Sequence, residues 1–169
     1  SNNTIGTING AIGSNSSSTS GQSVGILIDN GNISAQNNTI SFLGNINRNN
    51  ATGISASMIG MHISSTTGGT ISGNHIHTLT NGSATADVSM YGLLCSGFST
   101  VAVVEKNNIH SIGTTSTSAL AQISGIRNQN LSTTCRNNFI RLGLDPSGAS
   151  LTTGNVFVGI DEPLGGSTN

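Results

Sequence analysis

The sequence predicts an all-β solenoid, a coil of short strands stacked in parallel, and three observations carry this prediction. A phrase of the form Asn-x-Ile/Phe-x-x-Ile/Leu occurs five times along the 169 residues. A phrase of Gly and an apolar residue alternates with it in a fixed order. Only 7% of the residues are charged and 3% aromatic, and more than half are Asn, Ser, Thr or Gly. Repeats of about this length are typical of solenoids, in which each repeat forms one coil.

The asparagine phrase sets the period of the predicted coil. Its first residues follow one another at intervals of 35, 36, 33 and 30 residues. These anchors are Asn3, Asn38, Asn74, Asn107 and Asn137. Asn tolerates the left-handed backbone of a tight corner. Its side-chain amide can also donate to the same group one coil away. We therefore expect the five anchors to form a structural ladder at a corner.

The glycine phrase predicts a second strand in each coil. It occurs at Gly25-Ile26, Gly53-Ile54, Gly92-Leu93, Gly125-Ile126 and Gly159-Ile160. A further apolar stretch leads into each anchor Asn, so each coil is expected to hold three short strands bounded by Gly, Asn or Ser. A glycine inside such a strand indicates a corner or a close approach of two backbones. No sustained i, i+3, i+4, i+7 apolar spacing predicts a helix.

Three apolar columns are expected to fill the interior of the coil. Two residues after the anchors lie Ile5, Ile40, Ile76, Ile109 and Phe139. Five residues after the anchors lie Ile8, Leu43, Leu79, Ile112 and Leu142. After the glycines lie Ile26, Ile54, Leu93, Ile126 and Ile160. Burial of each side chain contributes roughly 1.5–3 kcal/mol. A single coil cannot hide its apolar side, so several must stack.

The order Gly-Ile, Ile-x-x-Asn, Asn-x-Ile resembles the repeat of right-handed parallel β-helix proteins, the pectate-lyase-like fold, from Asn3 to about Pro163. The resemblance implies a right-handed parallel β-helix of about five coils with three short strands each, forming one domain over residues 1–169. It specifies fold and not function, because such folds host lyases, hydrolases, phage tailspikes, adhesins and stalks. The composition is similar to that of long surface proteins of gliding or biofilm-forming bacteria. The chain begins and ends inside repeat phrases, which indicates a segment of a longer repeat protein.

The acidic residues do not predict a catalytic site. They are Asp29, Asp87, Glu105, Asp145, Asp161 and Glu162. Polysaccharide-cleaving enzymes of this fold use carboxylates with Arg or Lys on one wall, and glycoside hydrolysis requires paired acids. Only Asp161 shares a column with a basic residue, Arg127, and a surface ion pair accounts for both. We therefore expect no catalytic residue and no cofactor.

Histidines and cysteines leave two alternatives open. His75, His77 and His110 are expected to lie close together on the outer wall, and imidazole suits Zn, Cu or Ni. No carboxylate or thiol has an obvious place beside them, so a solvated histidine row is favoured over a metal site. Cys95 and Cys135 are expected on neighbouring coils but different walls. Two buried, unbridged thiols are therefore favoured over a disulfide, which requires Cα atoms within about 7 Å.

Charge and hydropathy restrict the partners. The net charge is −1 and only five residues are Lys or Arg, which argues against nucleic acid. No apolar run approaches the roughly 18 residues of a membrane helix. The expected function is a structural or adhesive segment of a secreted or cell-surface bacterial protein: a stalk, filament element or adhesin. Its expected partners are other copies or flanking repeats, end to end, and possible glycans.

Two alternatives remain from other classes. One is a scaffold for a carbohydrate-active enzyme, a polysaccharide lyase or hydrolase. The other is a glycan-binding module without turnover, which would normally present exposed aromatic side chains. The available aromatics are Tyr91, Phe42, Phe98, Phe139 and Phe157, of which Phe139 is expected to be buried.

Overall fold

The fold is all-β, as predicted. A computed structural model describes residues 2–6, 12–64, 67–97, 100–129 and 132–163. Its strands are β1 Thr4–Ile5, β2 Ile12–Ser14, β3 Ser23–Asp29, β4 Ile33–Gln36, β5 Thr39–Asn45, β6 Met58–Ser64, β7 Gly69–Ser72, β8 His75–Asn81, β9 Ser89–Ser96, β10 Ala102–Glu105, β11 Asn108–Thr114, β12 Gln122–Asn128, β13 Thr133–Arg136, β14 Phe139–Arg141 and β15 Val156–Asp161. The one helical element among these residues is a short 3-10 turn, Gly53–Ser55.

The strands form three parallel sheets that wind into a β-solenoid. Sheet 1 runs β3-β6-β9-β12-β15, sheet 2 runs β4-β7-β10-β13, and sheet 3 runs β1-β5-β8-β11-β14 with β2 also paired to β5. Each coil takes one strand from each sheet in chain order, beginning with β3, β4 and β5. Four coils are complete in this sense, whereas the sequence predicted about five. The terminal strands β1, β2 and β15 extend the stack beyond them.

The interior columns of sheet 3 are stacked as predicted. Ile40 pairs in register with Ile76, and Ile76 with Ile109. All three side chains are fully buried. Leu79 lies in the second column between Leu43 and Ile112, and that column is buried too. Because aliphatic side chains of successive coils lie over one another, each coil completes the apolar interior of the next.

The last copy of the asparagine phrase is shifted by one residue, so the prediction for Phe139 was wrong. Ile140, not Phe139, pairs with Ile109 in the interior column, and Phe139 pairs with Asn108 on the outer face. Phe139 is 59% exposed. Side chains alternate between the faces of a strand, so a shift of one residue exchanges inside and outside.

The second interior column also departs from the prediction at its ends. Leu142 lies just beyond β14 but packs, partly buried, against the core. Ile8 lies outside the described residues, and the register partner of Leu43 in β2 is Ile12.

The glycine column lies in sheet 1, but its second member is Gly60-Met61 and not Gly53-Ile54. Gly53 begins the 3-10 turn, and Ile54 is 57% exposed. That turn belongs to the insertion between β5 and β6, so the apparent phrase was a coincidence of composition. Ile160 is also exposed, by 44%, because β15 is the last described strand of its sheet.

The glycines are required by a close approach across the interior. A Cβ on Gly60 would lie 2.5 Å from Cγ2 of Ile76 and 2.6 Å from the carbonyl oxygen of Gly92. Gly92 has the same relation to Ile109 and to the carbonyl of Gly125. Sheets 1 and 3 therefore pack by inserting an Ile side chain against a backbone without Cβ. Of the two reasons predicted for the glycine column, a corner or a close approach, the close approach applies at Gly92; Gly60 was not among the predicted glycines.

Candidate functional site

The predicted asparagine ladder is present, and hydrogen bonds link five asparagines in succession. Nδ2 of Asn38 donates to Oδ1 of Asn74 (2.8 Å), and Nδ2 of Asn74 donates to Oδ1 of Asn107 (2.9 Å). The ladder begins at Asn3, whose Nδ2 donates to Asn38 (3.0 Å). Each of these residues also donates its backbone N–H to the same oxygen, at 3.0–3.1 Å. From Asn38 onward, the oxygen of each ladder amide thus accepts two hydrogen bonds from the preceding ladder residue.

The ladder ends on Asn138 and not on the predicted Asn137. Nδ2 of Asn107 donates to Oδ1 of Asn138 (2.9 Å), and Nδ2 of Asn138 donates to the carbonyl of Val104 (2.9 Å). Asn137 has φ 53° and is a corner residue. The corner column is made of the residues that precede the ladder: Asn37, Gly73, Lys106 and Asn137, all with positive φ. The two roles assigned to one asparagine, corner and ladder, therefore belong to neighbouring residues.

A second group of buried amides was missed by sequence reasoning. Asn45, Asn47, Asn49 and Asn81 are each at most 4% exposed. Nδ2 of Asn81 donates to Oδ1 of Asn45 and to the carbonyl of Asn47. Asn49 donates to the carbonyls of Gly21 and Ser55. These bonds anchor the insertion that carries the 3-10 turn. The alternation of Asn at positions 45, 47 and 49 was the available signal, since alternate residues of an extended chain share a face.

The three predicted histidines do lie together on the outer face of sheet 3. His77 and His110 are register partners, and their rings stack with centroids 5.1 Å apart and planes 12° apart. The ring of His75 lies 4.3 Å from that of His77, and its Nε2 is 2.9 Å from Nε2 of His110. Nδ1 of His77 contacts the hydroxyl of Thr78, and Nδ1 of His110 that of Ser111, each at 2.9 Å.

Crowding disfavours protonation of two of these rings, His77 and His110. Partial burial, and then the neighbouring imidazoles His75 and His110, lower the pKa of His77 to about 4. Burial, followed by His75 and Arg141, lowers the pKa of His110. His77 and His110 are therefore held in the uncharged form at neutral pH. Among the described residues, no group of three His, Cys, Asp or Glu side chains is arranged to hold one metal ion.

Several acidic residues hold the coil together through polar contacts. Arg127 and Asp161 are register partners and form the ion pair that their column predicted. The guanidinium of Arg127 also lies over the ring of Tyr91, 5.2 Å from its centroid. His62 occupies the same column one coil before Leu94, the register partner of Arg127.

Other carboxylates have similar structural partners. Glu105 accepts from Nε of Arg136 across neighbouring coils (2.7 Å). Asp145 accepts from the backbone N–H groups of Ser147 and Ala149 within its own loop. Asp87 accepts from the hydroxyl of Ser118 (2.5 Å).

The two cysteines are free, as the favoured prediction stated, but only Cys95 is fully buried, whereas Cys135 is half-buried. Cys95 lies in sheet 1 and Cys135 in sheet 2. Burial raises the pKa of the Cys95 thiol far above its ordinary value, and burial followed by Glu162 raises that of Cys135 to about 11. Neither thiol is activated as a nucleophile, since a reactive cysteine requires a lowered pKa.

A groove of about 510 Å³ runs across the coils at the end of sheet 3. Its floor is a register column of small residues, Gly13, Gly44, Thr80 and Gly113. Ile46 and Leu151 are among its walls. No aromatic side chain is among its lining residues.

The aromatic residues are distributed differently from the prediction. Tyr91 is fully buried beneath the 3-10 turn, where its hydroxyl accepts from the N–H of Gly53 (3.2 Å). Phe42 and Phe157 are half-buried, and Phe139 is exposed. Phe98 lies outside the described residues.

The fold and these contacts define the chain as a parallel β-solenoid with a buried asparagine ladder. Comparison with protein-family models, with curated proteins and with solved structures finds no match to it. In the part of the chain that the structure describes, no helix has the length and apolar character needed to cross a membrane.

Proposed function

We propose that this chain is a structural segment of a secreted or cell-surface bacterial repeat protein, serving as a stalk, filament element or adhesin, and that it is not an enzyme. The observation that supports this most is the uninterrupted repetition of one packing unit, the ladder amide with the Ile–Gly contact, through four coils. Such a unit adds length without changing the cross-section. The right-handed, pectate-lyase-like type suggested by the repeat remains part of this proposal.

At Gly159 no described residue covers the outer edge of sheet 1, and a further coil would fit against this edge. Where a Cβ on Gly25, Gly60, Gly92 or Gly125 would meet the glycine carbonyl of the next coil, a Cβ on Gly159 would meet no described atom within 4 Å. Ile160 beside it is 44% exposed. A coil of the same kind, from flanking repeats or from another copy, would cover this end by pairing with β15.

Two measurements test the structural role. The first is a screen for turnover of acidic and neutral polysaccharides, in which clear product formation would refute the proposal in favour of a lyase or hydrolase. The second is detection of the protein on intact cells of its source by antibody and by external protease. Signal only after cell lysis would refute the surface location.

End-to-end association is tested by sedimentation velocity over a hundredfold concentration range. The wild type should form larger species as concentration rises, and Ile160→Lys should abolish them because a charge would be placed at the open end. Val101→Lys is the matched control, since Val101 is 65% exposed and lies just before β10 in sheet 2, away from β15. Equal sedimentation of all three at every concentration would exclude self-association.

Glycan binding without turnover is the second candidate function, and the groove across sheet 3 favours it. The floor of the groove, with three glycines and Thr80, leaves room for an extended chain, and Ser14, Thr114 and Thr115 add hydroxyl groups to its lining. A glycan array is the test, with Thr80→Leu to remove a floor hydroxyl and Thr117→Leu as a control outside the groove. Binding that is equal in both variants, or absent from the wild type, would remove this candidate.

A further inference from the structure

The outer face of sheet 3 brings two imidazole nitrogens unusually close. Nε2 of His75 and Nε2 of His110 lie 2.9 Å apart. The two residues are on neighbouring strands, β8 and β11, and are diagonal to each other in the register. Two imidazoles approach this closely when a proton lies between the nitrogens, or when both lone pairs are directed at one cation. The parallel backbone pairing of the two strands maintains this spacing.

The distance between the nitrogens is that of an N–H···N hydrogen bond, and it is also compatible with one coordination geometry. Two ligands at right angles, with metal–nitrogen bonds of about 2.0–2.1 Å, have their nitrogens about 2.9 Å apart; tetrahedral ligands would be about 3.3 Å apart. Right angles between imidazole ligands are typical of square-planar or tetragonal Cu(II) and Ni(II). The observed 2.9 Å therefore fits these ions better than Zn(II).

The surroundings of the pair include two further groups that suit a metal. If Nδ1 of His110 donates to the hydroxyl of Ser111, its Nε2 carries a free lone pair, as in metal-binding histidines. Oδ1 of Asn108 is buried and has no hydrogen-bond partner among the described residues. Asn108 is the register partner of His75 and lies two residues before His110, so it shares their face. A buried oxygen of this kind calls for a ligand or a bound water.

The third histidine has a different place. The ring of His77 is stacked on that of His110 and its Nδ1 contacts Thr78. It packs against the pair and does not complete a three-ligand set, in agreement with the lack of such a set among the described residues.

Arg141, the register partner of His110, places a positive charge beside the pair and would oppose a bound cation.

We propose that His75 and His110 form a two-nitrogen site for Cu(II), with weaker binding of Ni(II), and that Asn108 accepts a hydrogen bond from a metal-bound water. Cu(II) is placed before Ni(II) because the general affinity series of divalent metals has that order. The bound ion joins two coils across the outer wall, so it stabilises the folded chain by mass action.

The test uses the full chain without a histidine tag, titrated with CuCl₂ at pH 7.5 against a weak competitor and followed by electron paramagnetic resonance. We expect one Cu(II) per chain with hyperfine coupling to two nitrogens. His75→Gln and His110→Gln should each weaken binding roughly tenfold or more. Arg141→Gln should strengthen it, since it removes a nearby positive charge.

Two control variants separate this site from other histidines. His62→Gln should bind as the wild type does, because His62 is buried in sheet 1 against Ser96. His77→Gln should also retain the two-nitrogen spectrum. Circular dichroism checks the fold of each variant. Absent binding, unchanged affinity of His75→Gln and His110→Gln, or an equal loss in His77→Gln would each overturn the proposal.

Discussion

Asn74 and Asn107 are joined by two hydrogen bonds that end on one atom. The side-chain Nδ2 of Asn74 and its backbone N–H both donate to Oδ1 of Asn107, at 2.9 and 3.0 Å. Both residues are 1% exposed. Buried polar groups are costly when unpaired. We therefore expect substitutions in the amide column to destabilise the fold as much as substitutions in the apolar columns beside it.

Removal of one central ladder amide should be strongly destabilising. Asn74→Ala would leave the N–H and Nδ2 of Asn38 without their acceptor and the carbonyl of Ala35 without its donor. Since an unpaired buried group costs about 1–3 kcal/mol, we expect a loss of roughly 3 kcal/mol or more in the free energy of unfolding. Urea denaturation measures it. A loss below about 1 kcal/mol would show that the ladder is not a major source of stability.

The end of the ladder offers a sharper test, because two adjacent asparagines have different roles. Asn138→Ala removes the acceptor of Asn107 and should cost about 2 kcal/mol. Asn137→Gly should change stability by less than about 0.5 kcal/mol, since glycine adopts positive φ readily. Thermal unfolding of the two variants compares them directly. The reverse order would place the ladder on Asn137 after all.

The glycine column should tolerate a methyl group only at its last described position, Gly159. Gly92→Ala would bring Cβ within 2.5 Å of Cγ2 of Ile109 and 2.7 Å of the carbonyl oxygen of Gly125. Overpacking of this kind costs about 1–3 kcal/mol. Gly159→Ala is the control, because it would meet no described atom within 4 Å. Chemical denaturation should separate the two variants, and equal stabilities would argue against the close sheet packing.

Stability should fall in mildly acidic solution because of His62. Burial lowers the pKa of His62, a shift that the charge of Asp29 partly opposes. The unfolded chain then binds a proton near the ordinary histidine pKa of about 6.5, whereas the folded chain stays neutral to lower pH. The stabilising contribution is therefore complete above about pH 6.5 and decreases as the pH falls below it.

His62→Gln, which cannot titrate, tests this pH dependence. Its urea midpoint should decline less than that of the wild type between pH 7.5 and 5. Above pH 7, the midpoints of the two proteins should change with pH at the same rate. The other histidines are unchanged in this variant, so they cancel in the comparison. Parallel declines across the whole range would mean that His62 contributes nothing to acid sensitivity.

The sequence alone was sufficient for the fold class, the three strands per coil, the interior column Ile40–Ile76–Ile109 and most of the ladder. These features repeat in every coil. A residue type that recurs at a nearly constant interval indicates that equivalent positions have the same structural environment in each coil. The histidine cluster was also predictable, because alternate residues of a strand share a face and parallel strands align their phrases.

Where two nearby residues matched the same repeat phrase, only the tertiary structure decided which of them occupies the repeated position. Asn137 and Asn138 are chemically identical, and Gly53 and Gly60 are each followed by an apolar residue. Hydrogen bonding across coils selects Asn138, and the space beneath Ile76 selects Gly60. The same holds for Tyr91, which the 3-10 turn covers, and for the 2.9 Å between His75 and His110. Such features depend on contacts between residues far apart in the chain, and no local pattern encodes a distance between them.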